Sequence, residues 1–481
     1  MELRKKTESG IKWSIIDQLF RIVITLVISF FLARLIMPSE FGLFALVTIA
    51  IGFLNIFKDF GFGAALIQKQ NLEKSEIDSI FWLNNGIGFL LGTIIFFSAP
   101  LIGAFYEEPK LILLTQAMSV IFFIGSFGLV PDALIAKNID FKSFFFRNIA
   151  NNVISGAIAV FMAYKGYGVW ALVFQSLFST IIGVFISFKM VQWRPSFQFS
   201  KESSVPFLKF SMPLLGENSI NYWVRNIDNI LVGKILGEQS LGYYSKAYSL
   251  MLLPVRQISG SITRVMFPSF SLIKNDKQKV WHNYSELLSI TAFITFPLMA
   301  VLYIFGGEII LFMYGKDWVE SISIFKGLCF LGAIQSLGVY CGSIFSSQGR
   351  TYLQFKLGLF LKPLMISGIV FGLYWNGIDG LIIGYTLTSC IAFGIESFFI
   401  TKILDQKPIE MLKSFYKEFL ITSVLMIGFL IVEKYFALHI ILKMLTILLI
   451  GGSLYFFLSM KLKVRGVLFV KQKYDGFKKN N

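Results

Sequence analysis

An all-α, polytopic membrane protein with about 14 transmembrane helices is the fold class that the sequence predicts. Three observations predict it: long apolar stretches follow one another closely, Lys and Arg fall asymmetrically between them, and the two halves resemble each other. The composition agrees, because 55% of the 481 residues are hydrophobic and only 15% are charged. A soluble domain carries roughly 25% charged residues. We therefore expect the bilayer, and not water, to be the main solvent of this chain.

Fourteen apolar stretches are long enough to cross a bilayer as helices, with short connections between them. A helix is the expected form because backbone groups in lipid must find their hydrogen bonds within the segment. The predicted spans are 13–36, 41–57, 79–104, 111–136, 146–163, 168–188, 210–233, 241–263, 286–305, 320–345, 353–374, 378–401, 414–432 and 438–460.

Positive charge alternates between the two ends of these spans. About 31 of the 44 Lys and Arg residues fall on the side of the N-terminus, against about six on the other side. This asymmetry predicts that both termini are cytoplasmic, in a multi-pass protein of the bacterial inner membrane. It also accounts for the net charge of +16 without a nucleic-acid partner, since the basic residues form short clusters between spans.

An internal repeat relates the first six spans to the next six. MPSEFGLF (37–44) matches GEQSLGYY (237–244) at an offset of 200, and APLIGAFYEEP (99–109) matches GEIILFMYGKD (307–317) at a similar offset. An even number of spans per copy gives both copies the same orientation, so an axis along the membrane normal relates them. The alternative is a duplication that only enlarged a scaffold.

The repeat predicts two pseudo-symmetric six-helix lobes around a central cavity, as in a rocking transporter. The N-terminal lobe covers 1–200 and the C-terminal lobe 201–405. Two further transmembrane helices occupy 406–460, and a basic cytoplasmic tail occupies 461–481.

Motifs for bond chemistry are missing from the sequence. It contains no GxxxxGK[ST] phosphate loop, no G-x-S-x-G nucleophile elbow and no HExxH zinc motif. Three Cys, all inside apolar runs and without a CxxC motif, and two His do not form a zinc site. We therefore expect no catalytic residue, no metal and no cofactor, and the short outer loops disfavour an enzyme that must hold a sugar chain.

Two acid–base pairs lie inside predicted spans, where an ionisable group costs at least ~2.5–3.5 kcal/mol. Asp17 and Arg21 are one turn apart in the first span, and Arg225 and Asp228 are three residues apart in the seventh. They are either structural ion pairs near the interface or residues of the cavity. Tyr222, beside Trp223, either packs or stacks on a sugar ring.

Four further charged candidates lie within later spans or at their ends. Lys246 and Arg264 are close enough to opposite surfaces to extend their charge into water. Arg256 lies near the middle of the eighth span, two residues after Pro254 and with no acid within a turn, which favours a functional role. Glu396 is four residues from the inner end of the twelfth span and fits either interpretation. Trp318 is expected in an interfacial aromatic belt.

Several segments resemble the polysaccharide-transporter branch of the multidrug/oligosaccharidyl-lipid/polysaccharide exporter superfamily, and most of all its colanic-acid and teichuronic-acid exporters. The similarity covers roughly residues 10–400. The segments that carry it are FGFGAALIQK (60–69), GYGVWALVFQ (166–175), RNIDNILVGKILG (225–237), LGYYSKAY (241–248) and RVMFPSFS (264–271).

The resemblance implies a flippase that moves undecaprenyl-pyrophosphate-linked oligosaccharide units by alternating access through a V-shaped cationic cavity. The expected partners are this lipid-linked substrate and membrane lipids, with a complex with a polysaccharide polymerase or glycosyltransferases left open. Arg21, Arg225 and Arg256 are the expected cationic lining, with Lys246 and Arg264 as weaker candidates; Asp17, Asp228 and Glu396 are the candidates for ion coupling.

Two other functions remain open at this point. A cation-coupled multidrug antiporter on the same fold would need acids rather than arginines in the cavity. A membrane-embedded glycan polymerase or ligase would need larger outer loops.

Overall fold

The computed structural model describes residues 2–59, 61–137, 141–198, 201–435, 443 and 445–468. Throughout these residues the regular secondary structure is helical, without a β-strand. Long helices are the form expected of apolar chain, because each backbone N–H finds its acceptor four residues earlier in the same segment.

The helices of the first part of the chain are joined by short connections. They are α1 (Glu2–Leu35), α2 (Pro38–Asp59), α3 (Phe62–Gln68), α4 (Lys74–Tyr106), α5 (Lys110–Gly125), a 3₁₀ turn (Ser126–Gly128), α6 (Leu129–Lys137), α7 (Phe141–Tyr164) and α8 (Val169–Met190).

The second part continues in the same manner. Its helices are α9 (Lys201–Leu272), α10 (Lys277–Ile304), α11 (Gly306–Tyr314), a 3₁₀ turn (Lys316–Trp318), α12 (Ser321–Gly338), α13 (Cys341–Ser347), α14 (Thr351–Ile403), α15 (Pro408–Lys413), α16 (Tyr416–Tyr435), a π turn (Thr446–Gly451) and α17 (Gly452–Lys461).

The all-α, polytopic fold is confirmed, and every predicted span coincides with helical chain wherever the structure describes it. Within the described part, nine helices are long and apolar enough to cross a membrane. The count of fourteen stays a prediction, and the last predicted span, 438–460, lies partly outside the described residues.

Two of the long helices each contain a sharp break between two predicted spans. α9 breaks at Gly237, whose φ of 82° is a left-handed conformation that glycine adopts readily. α14 breaks at Asn376 and at Gly377, which has a φ of 56°. Across the second break the two halves of α14 pack closely, since a Cβ on Gly372 would lie 2.1 Å from the carbonyl oxygen of Gly380. Small residues that let backbones approach are a common basis of helix packing in membranes.

The described residues fall into two compact units, each with its own core. Unit 1 comprises Met1–Ser245 and Met313–Trp318, and unit 2 comprises Lys246–Phe312 and Val319–Asn481. Packing defines these units, so they leave the lobe boundary predicted at residue 200 untested.

Unit 2 includes both helices that follow the repeat. α16 and α17 pack on α10 through a small cluster that contains Ile421 and Tyr455. The Tyr455 hydroxyl donates to the Phe293 carbonyl oxygen at 3.0 Å. After α17, Arg465 donates to the Ser285 hydroxyl at 2.5 Å, and the Gly466 N–H donates to Ser289 at 3.1 Å. Packing and hydrogen bonds to α10 therefore fix α16, α17 and the residues that follow α17 within unit 2.

Repeat-related residues exchange contacts inside unit 1. A Cβ on Gly42 would lie 1.7 Å from the Glu238 carbonyl oxygen, and one on Gly242 would lie 1.9 Å from the Pro38 carbonyl oxygen. At the offset of 200, Pro38 corresponds to Glu238 and Gly42 to Gly242. This reciprocal pattern is the one that two-fold related segments produce when they meet at their axis.

Candidate functional site

The two acid–base pairs predicted within α1 and α9 do not form. Asp17 instead accepts a hydrogen bond from Asn148 Nδ2 at 3.1 Å. Arg21 and Arg225 are both exposed, and neither makes an ion pair within 4.0 Å in the part of the chain that the structure describes. The interpretation as structural ion pairs was therefore wrong, and both guanidinium groups lack a carboxylate partner there.

Asp228 is held by residues of its own helix. It is 2% exposed and accepts hydrogen bonds from the Tyr244 hydroxyl at 2.8 Å and from the Asn229 N–H at 2.8 Å. Asn229 Nδ2 adds a longer bond at 3.2 Å. Because Tyr244 lies beyond the break at Gly237, this carboxylate fastens the two limbs of α9 to each other.

The other predicted cations also lie on α9, beyond this break. Arg256 is exposed and makes no ion pair among the described residues, whereas Lys246 is half-buried and has a partner within the protein. The side chain of Arg264 lies outside the described residues. Arg21, Arg225 and Arg256 are thus the three predicted lining residues whose guanidinium groups lie exposed on membrane-length helical chain.

Glu396, on α14, belongs to a polar cluster in unit 2. The Cys341 thiol donates a hydrogen bond to its carboxylate, and the Tyr284 hydroxyl lies 3.6 Å from the Cys341 sulfur. Tyr284 and Cys341 are fully buried or nearly so. No Lys or Arg is paired with Glu396 in the described structure, so its charge has no compensating ion there.

A second polar cluster, in unit 1, was missed by the sequence analysis. Arg147 donates to an Asp132 carboxylate oxygen at 2.9 Å, and the Ser187 hydroxyl donates to the other oxygen at 2.6 Å. The Lys58 ammonium lies beside them, 2.6 Å from where a Cβ on Gly125 would stand. Lys58 lies directly after the predicted span 41–57 and Arg147 at the start of the predicted span 146–163, and the structure places both on helices.

This cluster keeps unused hydrogen-bonding capacity. Arg147 Nε and Asn151 Oδ1 are buried and make no hydrogen bond, although Asn151 Nδ2 donates to the Ser179 hydroxyl at 3.2 Å. The signal that could have found it is the polar run RNIANN (147–152) at the start of an otherwise apolar span.

Tyr222 has a packing role, which is the first of the two interpretations considered above, the other being stacking on a sugar ring. Its hydroxyl donates to the Ile49 carbonyl oxygen at 2.7 Å, above Gly52, where a Cβ would lie 2.3 Å from that hydroxyl. Trp223 is 44% exposed, with its ring 4.7 Å from that of Phe53.

The described cavities are lined mainly by apolar side chains. In unit 1 an open groove of about 730 Å³ lies between α1 and α7, where Arg34 stands among apolar residues such as Phe31 and Val160. A cavity of about 220 Å³ in unit 2 is lined by residues such as Phe296, Phe330 and Met426. Pockets for small ligands run from roughly 300 Å³ upward and place a few polar groups among apolar walls. The unit 2 cavity is smaller than that range, and the unit 1 groove has Arg34 as its one charged residue, so the exposed Arg21, Arg225 and Arg256 remain the better candidates for a pyrophosphate-linked headgroup.

Comparisons with known proteins identify the family of this chain. The family profile described as "Polysaccharide biosynthesis protein" matches residues 31–323. Lipopolysaccharide biosynthesis protein WzxC of Escherichia coli (strain K12) is 29% identical over 397 residues, covering 81% of this chain and 80% of that protein. Teichuronic acid biosynthesis protein TuaB of Bacillus subtilis (strain 168) is 27% identical over 475 residues, covering 95% of this chain and 96% of that protein.

The fold also matches a solved structure. The lipid II flippase MurJ, in an inward closed conformation, superposes with a TM-score of 0.72 at 17% identity, covering 94% of this chain and 98% of that chain. The identity is too low to transfer activity, but the fold is shared. On the family profile and this fold, the chain is a multi-pass α-helical membrane protein that belongs to the polysaccharide biosynthesis protein family.

Proposed function

We propose that this protein is a flippase that moves undecaprenyl-pyrophosphate-linked oligosaccharide units from the inner to the outer leaflet of the cytoplasmic membrane. The family and the relatives in lipopolysaccharide and teichuronic acid biosynthesis support a glycan-related role. The fold shared with a lipid II flippase supports a substrate that is linked to a lipid.

One observation about the site supports this proposal most directly. Arg21, Arg225 and Arg256 are exposed on helices predicted to cross the membrane, and none makes an ion pair in the described structure. A cation there is costly unless an anion compensates it. A pyrophosphate is a suitable anion, because the guanidinium fork binds phosphate oxygens in a bidentate manner.

In this mechanism the arginines hold the pyrophosphate, the glycan occupies the predicted central cavity and the polyprenyl chain stays in lipid. Rocking of the lobes then exposes the cavity to the other side. The cytoplasmic position of both termini is part of the same proposal.

Ion coupling is assigned by how each acid is held. Asp17 and Glu396 each receive one hydrogen bond from a neutral side chain, whereas three donors surround Asp228. We therefore propose Asp17 and Glu396 as the groups that bind a coupling cation or proton. Asp228, although an equal candidate by sequence, has the geometry of a structural carboxylate.

The two other functions fit less well. A multidrug antiporter needs acids to dominate its substrate site, whereas here the exposed charges are arginines. A polymerase or ligase needs an outer domain, and the described connections on the predicted outer side, such as 36–37, 107–109 and 165–168, are only a few residues long.

The test is the leaflet in which lipid-linked glycan accumulates. In cells lacking the protein, right-side-out vesicles treated with an impermeant periodate reagent should leave the glycan intact, and inside-out vesicles should show it oxidised. Complementation should restore outer-leaflet glycan. Glycan that reaches the outer leaflet as unpolymerised single units in the deletion strain would instead indicate a polymerase.

A further inference from the structure

A segment of the second repeat is packed within unit 1. Met313–Trp318 joins α11 to α12, and every other described residue of unit 1 comes from Met1–Ser245. We call Met313–Trp318 the docking segment. By the predicted topology it lies on the outer side of the membrane.

Trp318 anchors the docking segment. Its side chain is 0% exposed, which corrects the expectation that it lies in an interfacial belt. The indole Nε1 donates to the Ala33 carbonyl oxygen at 2.8 Å, close to the end of α1. The ring centroid lies 5.4 Å from that of Phe41 and 6.0 Å from that of Tyr243.

Tyr314 adds a second contact to α1. It is 3% exposed, its ring lies 5.3 Å from that of Trp318, and its hydroxyl is hydrogen-bonded to Ser29. Gly315, with a φ of 96°, makes the turn between the two rings. The docking segment thus places two aromatic side chains against the outer end of the first repeat.

The residues related to this contact by the repeat, which we call the opposite arm, make a different contact. At the repeat offsets, Gly315 corresponds to Glu107, and Arg34, which Gly315 approaches, corresponds to Lys234. Glu107 and Lys234 form an ion pair of 2.6 Å with side chains 81% and 35% exposed. The hydrogen bond from Lys234, with its charge, lowers the pKa of the Glu107 carboxyl, so this pair persists at neutral pH and weakens only in acid. Exposed pairs of this kind contribute little to stability.

We propose that the docking segment is a latch, which holds the outer ends of the two repeats together and leaves α1 each time the outer path opens. The contacts of the docking segment hold the outer ends closed, and the Glu107–Lys234 ion pair breaks once the docking segment has left α1. The latch rests on the proposed transport by alternating access, because a protein that never opens outward has no need to release it.

These contacts explain why the docking segment, and not the Glu107–Lys234 ion pair, holds the outer ends closed. Trp318 buries a large aromatic surface and satisfies its one donor with a backbone carbonyl, so it is held by both packing and a hydrogen bond. The Glu107–Lys234 pair is already hydrated and loses little on separation.

Cysteine accessibility tests the latch directly. In a background with the exposed Cys390 replaced by Ser, Ala33→Cys puts a thiol at a position that is 2% exposed. Intact cells are treated with a membrane-impermeant maleimide from outside, and the rate of labelling is measured. The parent should label slowly, and Trp318→Ala should raise the rate by more than about ten-fold, since truncating a buried Trp removes most of the packing.

Two further variants keep the test decisive if Trp318→Ala fails to accumulate. Trp318→Phe keeps the ring but loses the indole donor, and should raise labelling about five-fold, the factor that corresponds to ~1 kcal/mol of hydrogen bond. Trp375→Ala, a matched control 65% exposed at the break of α14, should leave it unchanged. Lys234→Met, on the opposite arm, should change it less than about two-fold.

The outcomes separate the latch from the proposed function. Labelling of Ala33→Cys that is unaffected by both Trp318 variants, or that is already fast in the parent, overturns the latch even if glycan export is normal. Labelling that responds as expected in a protein that moves no lipid-linked glycan supports the latch and overturns the substrate.

Discussion

Arg256 is the residue whose environment argues most directly for substrate binding. It is exposed, it follows Pro254 within α9, and it makes no ion pair in the described structure. Arg256→Ala should lower export by roughly 10- to 100-fold at a normal membrane level, since a hydrogen bond to a charged group contributes about 1.5–3 kcal/mol. Arg256→Lys should retain part of the activity, because the ammonium keeps the charge but loses the bidentate geometry. Export of lipid-linked glycan is the measurement.

The matched control for this prediction is Arg350→Ala. Arg350 is exposed at the start of α14, on the predicted cytoplasmic side, and should be replaceable without effect. Normal export by Arg256→Ala, or equal losses in both variants, would remove Arg256 from the site.

Arg147 and Asp132 should behave as a coupled pair. Their side chains are 15% and 37% exposed, so removing one leaves a partly buried charge without its partner. Arg147→Met should destabilise the protein by ~1–3 kcal/mol, and adding Asp132→Asn should recover much of that loss. Thermal unfolding in detergent, followed by near-ultraviolet circular dichroism, measures both. A double variant as unstable as the sum of the single ones would mean that the two residues do not interact.

At this scale the sequence predicted which residues are polar but not what they touch. Spacings of four and three residues suggested ion pairs for Asp17 with Arg21 and for Arg225 with Asp228. In the structure a donor from another helix, Asn148, and one from the other limb of α9, Tyr244, contact these acids instead. Helical spacing fixes a shared face, whereas the partner is chosen by tertiary packing, which one sequence does not encode locally.

Among the elements, the hairpin within α14 depends on close backbone approach. A Cβ on Gly372 would lie 2.1 Å from the Gly380 carbonyl oxygen, a position that no flexible side chain can vacate. Gly372→Leu should therefore force the limbs apart and destabilise the protein by at least ~1–3 kcal/mol. The amount of folded protein in the membrane, measured by fluorescence-detected size exclusion, is the readout.

Gly394→Leu is the control in the same helix. A Cβ at Gly394 would meet no atom within 4 Å, so the larger side chain has room. If both substitutions leave the folded amount unchanged, or if both reduce it equally, the close packing of the two limbs does not limit stability.

The elements were the part most open to prediction. Continuous apolar runs and the breaks near residues 237 and 376 were readable because lipid imposes helices and glycine marks the turns. The reentry of Met313–Trp318 into unit 1 was not readable, since a Trp at a helix end is equally typical of a membrane interface. The contacts of Lys58 and Arg147 were not readable for a related reason: a charge near the end of a predicted span does not show which neighbouring helices cover it.

For the whole molecule, the positive-inside pattern predicts a single topology. Reporter fusions after residues 106, 236 and 436 should report the outside, and fusions after 70, 200 and 478 should report the cytoplasm. Alkaline phosphatase and green fluorescent protein activities provide complementary signals. Two or more reversed readings would contradict the fourteen-span arrangement and with it the assignment of the docking segment to the outer side.

The direction of export should also depend on the membrane potential. A pyrophosphate headgroup carries about two negative charges when its protons are lost, and outward movement across an inside-negative membrane releases ~2.3 kcal/mol per charge per 100 mV. Two charges at 100 mV gain roughly 4–5 kcal/mol, which biases the distribution about a thousandfold. Arginines such as Arg256 that move through the field with the substrate can cancel this gain. An inward-moving cation bound at Asp17 or Glu396 adds to it, because the same potential drives a cation inward.

Proteoliposomes separate these effects when the pH gradient is held at zero and a potassium diffusion potential of either sign is imposed. Translocation from the negative side should accelerate with potential, and reversing the sign should slow it. In Asp17→Asn and Glu396→Gln the dependence should persist if the substrate charge is the driving element, and should vanish if the coupled cation is. Rates that depend on neither the sign nor the size of the potential would contradict this prediction. They would mean that the arginines neutralise the headgroup throughout the cycle, so that translocation is electroneutral. The driving force would then come from synthesis of the substrate on one side of the membrane and its removal on the other.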